Sequence, residues 1–415
     1  MAKVIIQGGK KLKGTVHVSG SKNSALPILA AVTMLEGESK IENIPKLTDI
    51  TTMVRMLRTL GLKAEHVNHC VKISNNNSIK HLIPYELVTK MRASFFIAGP
   101  ILAKTGFVKI PMPGGCAIGT RPVDIHLKGF EALGAKIEVE HGFIDIKAKK
   151  LKGNNVYLTF PSVGATENIM MAAALAEGNT RVENAAREPE IEDLANFLNT
   201  AGAKIKGAGT DIIEIEGVSR LAGVTYKVIP DRIEAGTLLL AGAITNGDIT
   251  LTGINKAHLI PLFEKMREMG VRIDFTGDQA RVFHNGRLKP IEVETQPYPG
   301  FPTDMQAQLM ALLCVTSGTS MVKETIFENR FMHAQELNRM GANIRVRDSL
   351  AIINGVEKLS GAPVRTTDLR AGAALWLAGL VAEGETLIYD IEHVERGYDD
   401  LLGKLVSLGA QIRKA

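Results

Sequence analysis

The 415-residue sequence predicts a mixed α/β fold built from six repeated subdomains, with helices inside and sheets outside. Three observations carry that expectation: two glycine markers that each recur six times, helical stretches apolar on nearly every side, and β-rich segments after each glycine. The first marker is a small or apolar residue, then Gly, usually Ala or Val, a polar residue and an apolar one. It falls at Gly61, Gly134, Gly202, Gly270, Gly341 and Gly409. The second falls at Gly37, Gly106, Gly178, Gly247, Gly318 and Gly384. Both periods are about 70 residues, too long for a solenoid turn and suited to a duplicated subdomain.

In chain order, the strand-like Val16-His17-Val18 runs through Ser19-Gly20-Ser21 into the first helix. Ala25–Leu35, Glu167–Glu177, Met305–Thr316 and Ala371–Glu383 are Ala- and Leu-rich, and a helix apolar all round is buried all round. Val123–Leu133, Ile191–Thr200 and Tyr398–Leu408 alternate as amphipathic helices, each ended by a first-marker Gly. Ile249–Thr252 and Glu385–Ile388 are strand-like. Six units divide most simply into three per lobe. The passage Val228-Ile229-Pro230-Asp231-Arg232 echoes Val16–Lys22 midway through the chain. That places one lobe at 20–229 and the other at 1–19 plus 230–415, so the chain crosses between lobes twice.

Composition narrows the function. Hydrophobic residues make up 45% and charged ones 22%, as in a globular protein. A net charge of +5, aromatics at 5% and no basic run interleaved with aromatics argue against nucleic acid. The basic stretch Lys147–Lys152 is read as a solvated loop. Cys70, Cys116 and Cys314 are widely spaced, which argues against a disulfide framework or zinc site and fits a reducing cytoplasm. Residues 1–10 lack a signal-peptide core, and the longest apolar run, Ala371–Ala382, is too short to span a bilayer. No Gly-x-x-x-x-Gly-Lys-Ser/Thr, Gly-x-Ser-x-Gly or His-Glu-x-x-His motif is present. Gly207-Ala208-Gly209-Thr210 is read as a hairpin turn rather than a dinucleotide loop. The ten His residues form no ligand cluster, and neither metal nor cofactor is expected.

Two features carry chemistry. Pro111–Asp124 is a glycine- and proline-rich loop with Cys116 at its tip and Arg121 five residues on. Cys116 is either a small apolar side chain in a turn or a thiol whose pKa nearby cations depress. The second feature is positional. Lys22, Arg92, Thr166, Arg232, Asp304 and Arg370 stand at the starts of the buried helices, and Lys46, Arg121, Arg187, Lys256, Arg330 and Arg396 near those of the amphipathic ones. Cations oppose the helix dipole there, so their repetition calls for a multiply charged anionic ligand, or for surface stems covering apolar neighbours. Asp304, the acidic exception, is a helix cap unless its side chain faces a cationic pocket, where it becomes a candidate general base.

These residues resemble the UDP-N-acetylglucosamine 1-carboxyvinyltransferase family over the whole chain. The resemblance rests on Gly14–Asn23, Met91–Ser94, Gly114–Asp124, Pro161–Thr166, Asn184–Glu190, Pro230–Arg232, Pro299–Gln306, Glu324–His333 and Arg396–Tyr398. It implies a two-domain inverse α/β barrel (an α-β prism) with the active site between lobes, in a cytoplasmic enzyme of bacterial peptidoglycan synthesis. It implies transfer of the enolpyruvyl group of phosphoenolpyruvate to the 3-hydroxyl of UDP-N-acetylglucosamine, releasing phosphate through a tetrahedral intermediate. On matching positions, Lys22, Arg121 and Arg396 would hold phosphoenolpyruvate, with Asn23 beside them and Arg370 in support. Cys116 would protonate the methylene carbon and Asp304 would deprotonate the sugar hydroxyl. Arg92, Arg121, Pro122, Val123, Asp124, Ile125, Ser162, Val163, Gly164, Asp304 and Ile326 would contact the nucleotide sugar. Binding of that sugar is expected to close the lobes and protect the Cys116 loop from proteolysis. Phe160 departs from members that carry Lys near the uridine. Three alternatives remain open: the shikimate-pathway sister family, a catalytically silent nucleotide-sugar sensor, and a thiol acyltransferase or hydrolase.

Overall fold

The computed structural model describes residues 3–75, 79–89, 91–112, 123–284 and 286–415. They divide into two compact units, with the breaks between Ser19 and Gly20 and between Ile229 and Pro230. Each unit has its own apolar core.

In the 20–229 unit, one sheet holds Leu35–Glu42, Lys63–Val67 and Cys70–Asn75, edged by Leu221–Ala222 and Thr225–Lys227. A second holds Phe107–Pro111, Lys136–Glu140 and Phe143–Lys147, and a third Asn155–Tyr157, Asn179–Glu183, Lys204–Lys206 and Ile212–Glu216. The helices Lys22–Ala31, Ala98–Thr105 and Val163–Ala173 supply the core. The Gly207–Thr210 stretch joins two antiparallel strands in which Lys204 faces Glu216, so it is the hairpin turn expected.

In the other unit, the first strand, Lys3–Gln7, pairs antiparallel with Glu385–Tyr389 near the end of the chain. Lys13–His17 pairs parallel with Asp248–Thr252. The third sheet holds Glu292–Glu294, Thr319–Lys323, Asn343–Arg347 and Leu350–Asn354. Its inner helices are Arg232–Ile244, with every residue buried, Gln306–Cys314 and Leu369–Val381. The inverted arrangement expected from the repeats is what forms. Among the described residues, however, all six sheets are open, so the expected barrel is a helical core faced by separate sheets rather than a closed β-barrel.

The helices form where their ends are satisfied. Ser21, Ser162, Asp231 and Asp368 cap inner helices through their side chains, taking up N–H groups that would otherwise be buried unpaired. At the other end Gly106 (φ 76°) closes the helix Ala98–Thr105. The fourth repeat differs. Asn246 (φ 47°) takes the left-handed position, and Gly247 is required because a Cβ there would lie 2.4 Å from the Leu12 carbonyl oxygen.

Each side of the chain crossing is tied to a buried carboxylate in its own unit. Asp193 accepts from the Tyr226 hydroxyl (2.6 Å), the Ile229 N–H (3.3 Å) and the Ser24 hydroxyl. Glu234 accepts from the Ser19 N–H (2.9 Å) and pairs with Lys404, which also donates to Ser19 Oγ (2.6 Å). Burial raises the Glu234 carboxyl to about 7, although Lys404 opposes the shift. No described helix is long and apolar enough to cross a membrane.

Candidate active site

Asp304 lies in the helical turn Thr303–Met305, just ahead of the helix Gln306–Cys314. It caps neither element. Its Oδ1 accepts from Arg330 Nη2 at 2.8 Å and its Oδ2 from Arg370 Nη2 at 3.2 Å. That settles the choice left open by the sequence: the side chain faces cations. Both arginine side chains are 4% exposed against 29% for Asp304, so the guanidinium groups are fixed and the carboxylate remains partly open to solvent.

The cations are held in turn. Arg370 sits one residue into its helix, where Asp368 accepts from the N–H groups of Arg370 (2.8 Å) and Ala371 (3.1 Å). Arg330 Nη1 lies 4.0 Å from the same Asp368 carboxylate. Burial works to lower the Arg370 pKa, but the negative charges of Asp304 and Asp231 and the hydrogen bond with the Tyr398 hydroxyl outweigh it and hold the guanidinium above its ordinary value. Among the described residues its Nη1 has no hydrogen-bond partner, and nor does Arg330 Nε, so each keeps donor capacity in a buried setting. The Tyr398 ring lies 5.4 Å from the Arg370 guanidinium. The Tyr398 hydroxyl is 3.0 Å from Thr237 Oγ1 and accepts from Gln308 Nε2 at 3.0 Å, while Gln308 also donates to the Asp304 carbonyl at 2.9 Å. Beside Arg330, burial lowers the His333 pKa to about 4 despite the attraction of Asp368.

Of the other expected residues in this unit, Ile326 is half-buried, and its N–H donates to Glu324 Oε1 at 2.9 Å. Arg396 is half-buried and follows the turn Glu392–Glu395. The structure thus brings Asp304 and Arg370 together with a second cation, Arg330, which sequence reasoning placed among the helix-start cations without a role. Asp368, Gln308 and Glu324 were missed. A usable signal existed only for Asp368, an Asp two residues before Arg370 at a helix start.

In the 20–229 unit, Lys22 opens its helix behind the Ser21 cap, and its Nζ lies 3.8 Å from Asp49 Oδ2, both side chains being largely buried. Asn23 follows it, half-buried, and Arg92 opens the turn Arg92–Ile97. Val123 is buried at the start of the helix Asp124–Ala132, with Asp124 exposed and Ile125 half-buried. Ser162, Val163 and Gly164 are half-buried at the start of their helix, and Ser162 Oγ accepts from the Ala165 N–H at 3.4 Å. His126 packs beneath this turn. A Cβ on Gly164 would lie 3.2 Å from both the His126 Cε1 and Phe96 Cε1 atoms. Asn168 donates to His126 Nδ1 (3.0 Å) and to the Phe95 carbonyl (3.1 Å), and accepts from the Gly99 N–H (2.9 Å). Phe160 is 42% exposed. Cys116, Arg121 and Pro122 lie outside the described residues.

The remaining helix-start cations divide. Lys46, Arg187 and Lys256 are exposed, as surface residues covering apolar neighbours would be; the Lys256 ammonium stands 4.4 Å from the Phe275 ring centre. Arg232 is buried, 5.7 Å from the Tyr298 ring centre. Thr166 is buried and donates to the Ser162 carbonyl at 2.9 Å. Among the described residues no group of His, Cys, Asp and Glu could hold a metal ion.

Residues 6–405 match the family model described as EPSP synthase (3-phosphoshikimate 1-carboxyvinyltransferase). UDP-N-acetylglucosamine 1-carboxyvinyltransferase 2 of Carboxydothermus hydrogenoformans is 55% identical over 421 residues, covering 100% of this chain and 99% of that protein. UDP-N-acetylglucosamine 1-carboxyvinyltransferase 1 of Halalkalibacterium halodurans is 54% identical, covering 100% and 94%. The chain belongs to the UDP-N-acetylglucosamine 1-carboxyvinyltransferase family.

Among solved structures, the enolpyruvyl transferase NikO from Streptomyces tendae superposes with a TM-score of 0.91 at 26% identity, covering 100% of this chain and 99% of that one. EPSP synthase from Acinetobacter baumannii superposes at 0.76 and 20% identity over the full length of both, which shows the common fold alone. The fold is therefore shared with the sister enzymes, and the sequence likeness to the nucleotide-sugar family decides between them.

Proposed function

We propose that this enzyme transfers the enolpyruvyl group of phosphoenolpyruvate to the 3-hydroxyl of UDP-N-acetylglucosamine and releases phosphate, as a soluble cytoplasmic step of peptidoglycan precursor synthesis. The observation that carries the reading is Asp304, gripped by Arg330 and Arg370 rather than capping a helix. A carboxylate oxygen has two lone pairs, so accepting one guanidinium N–H leaves it able to take a hydroxyl proton. The two arginines fix its orientation, which is the main requirement on a general base.

The reaction needs a proton taken from the sugar oxygen, a proton given to the methylene carbon of phosphoenolpyruvate, and charge stabilisation for phosphate and carboxylate. Asp304 takes the first, and the sugar oxygen then attacks C2 of phosphoenolpyruvate. Cys116 gives the second, producing a tetrahedral adduct. Loss of phosphate and of a proton from the new methyl group restores the double bond. Lys22, Arg121, Arg370 and Arg396 neutralise the anionic substrate, with Asn23 beside Lys22. Arg92, the 121–125 segment, Ser162–Gly164 and Ile326 hold the nucleotide sugar. The two lobes of the enzyme are 20–229 and 1–19 with 230–415. Phe160 meets the nucleotide without the polar contact a Lys would make.

The test is phosphate release from phosphoenolpyruvate with UDP-N-acetylglucosamine present, absent, or replaced by shikimate 3-phosphate. Release that requires the nucleotide sugar is expected. Release that requires the shikimate would move the assignment to the sister activity, and tight nucleotide-sugar binding without release in any mixture would overturn catalysis.

A further inference from the structure

Glu324 follows the strand Thr319–Lys323 directly and is 2% exposed. A buried carboxylate is costly unless its oxygens are occupied, and these are. Oε1 accepts from the N–H groups of Ile326 (2.9 Å) and Phe327 (3.3 Å) and from the Thr295 hydroxyl (2.9 Å). Oε2 accepts from the Thr303 hydroxyl at 2.9 Å. One carboxylate therefore binds two separate turns: the one that carries Ile326 and the one that carries Asp304.

The anchor itself is rigid. The Glu324 N–H donates to the Ser349 carbonyl at 2.8 Å, and the preceding residue, Lys323, pairs with Glu294 on one neighbouring strand and Leu350 on the other. Thr295, just past the Glu294 strand, donates its N–H to the Lys323 carbonyl at 2.9 Å. Glu324 is thus held at the end of a sheet and reaches both turns; the Ile326 turn is tied in addition through Thr325 to Thr295, and the Asp304 turn through Gln308, Arg330 and Arg370. A group on regular structure that fixes groups on loops is how a site keeps its geometry to a fraction of an ångström.

We infer that Glu324 is a positioning residue for the transfer reaction, setting the Asp304 turn through Thr303 and the Ile326 turn through its backbone N–H groups. It touches no reacting atom. The inference rests on the proposed roles of Asp304 and Ile326 and deepens them: the base and the nucleotide-sugar contact take their spacing from one side chain.

The two arms can be cut separately. Thr303→Val removes the hydroxyl that reaches Oε2 and keeps the side-chain shape, so the Asp304 turn loosens while the Ile326 turn stays held. Glu324→Ala releases both. Glu324→Gln keeps a carbonyl oxygen for Ile326 and Phe327 and offers an N–H to Thr303 Oγ1, which can accept. Turnover and KM for both substrates would be read from phosphate release, with far-UV circular dichroism and urea midpoints for folding. For Thr303→Val, kcat is expected to fall about 10-fold with KM for UDP-N-acetylglucosamine within about twofold. For Glu324→Ala, kcat is expected to fall about 100-fold and that KM to rise as well, with Glu324→Gln recovering to within about fivefold of the parent.

A folded Glu324→Ala enzyme within twofold of the parent in kcat would overturn the inference. So would a Gln variant no better than Ala, or a Thr303→Val variant in which kcat and KM are both unchanged. If Glu324→Ala fails to fold, the Thr303→Val arm still decides. Asp304→Asn is measured alongside. Near-normal turnover there would sink the reading of Asp304 itself, whereas an inactive Asp304→Asn with a fully active Glu324→Ala would sink only the role of Glu324.

Discussion

Replacing Arg330 with Ala removes one of the two guanidinium groups that orient Asp304, and the structure sets the size of the effect. Arg330 donates to Asp304 at 2.8 Å from a side chain only 4% exposed, while Arg370 stands at 3.2 Å from the other carboxylate oxygen. A hydrogen bond to a charged group contributes about 1.5–3 kcal/mol, and breaking a fully buried ion pair costs about 3–5 kcal/mol. Asp304 is 29% exposed, and water can partly replace the lost partner, so the lower end applies, about 2 kcal/mol. Spent entirely on misplacing Asp304 in the transition state, that is about a 30-fold fall in kcat. Arg330→Lys keeps the charge but loses the planar fork that lies between Asp304 and Asp368, so it should fall between Ala and the parent. The assay is steady-state phosphate release at saturating substrates, with a urea midpoint to show that the variant is folded. A folded Arg330→Ala enzyme with kcat within twofold of the parent would refute the argument that this cation orients the base.

Three further outcomes are expected. Gly164→Ala places a methyl group 3.2 Å from the His126 and Phe96 rings, so the Ser162–Gly164 turn must shift; KM for UDP-N-acetylglucosamine should rise about 3–10-fold with little change in kcat, and an unchanged KM would count against that turn as a binding element. Glu234 has its folded pKa raised from 4.5 to about 7, so its neutral form is favoured on folding; its contribution is full below pH 4.5 and is lost as pH rises through 7. Urea midpoints between pH 5 and 8 should therefore fall less steeply in Glu234→Gln than in the parent, and equal slopes would remove Glu234 as their source. Cys116→Ala should abolish turnover and sensitivity to thiol-alkylating inhibitors, including fosfomycin, as measured by phosphate release; near-normal turnover would take Cys116 out of the general-acid role.

Much of the fold was legible because its causes are local. A helix apolar on every side has only one stable place, so Arg232–Ile244 and Leu369–Val381 had to be interior whatever surrounded them. The helix-ending glycines marked the repeat for the same reason, since a left-handed backbone favours Gly. Even there one position was misleading. Gly247 occupies the repeated place, but Asn246 takes the left-handed turn and Gly247 makes room for the Leu12 backbone, a contact 235 residues away in sequence.

The site was legible in its residue types and not in its pairings. Local sequence could mark Asp304 as an acid among helix-start cations, but a cap and a base look identical in one dimension. Arg330 and Arg370 reach it from 26 and 66 residues away, and only the packing of the Thr303–Met305 turn, the turn ahead of the helix His333–Arg339 and the helix Leu369–Val381 brings those side chains within hydrogen-bond distance. Glu324 is the extreme case. A glutamate after a strand ordinarily faces water, and nothing in its neighbours foretells burial. It became an anchor because the fold delivers Thr295 and Thr303 to a carboxylate that locally accepts from the Ile326 and Phe327 N–H groups. By itself, then, the sequence determined the repeat, the inner helices and the family, since those follow from periodicity and motif. Tertiary structure alone decided which charge meets which, because that depends on distances the chain acquires only on folding.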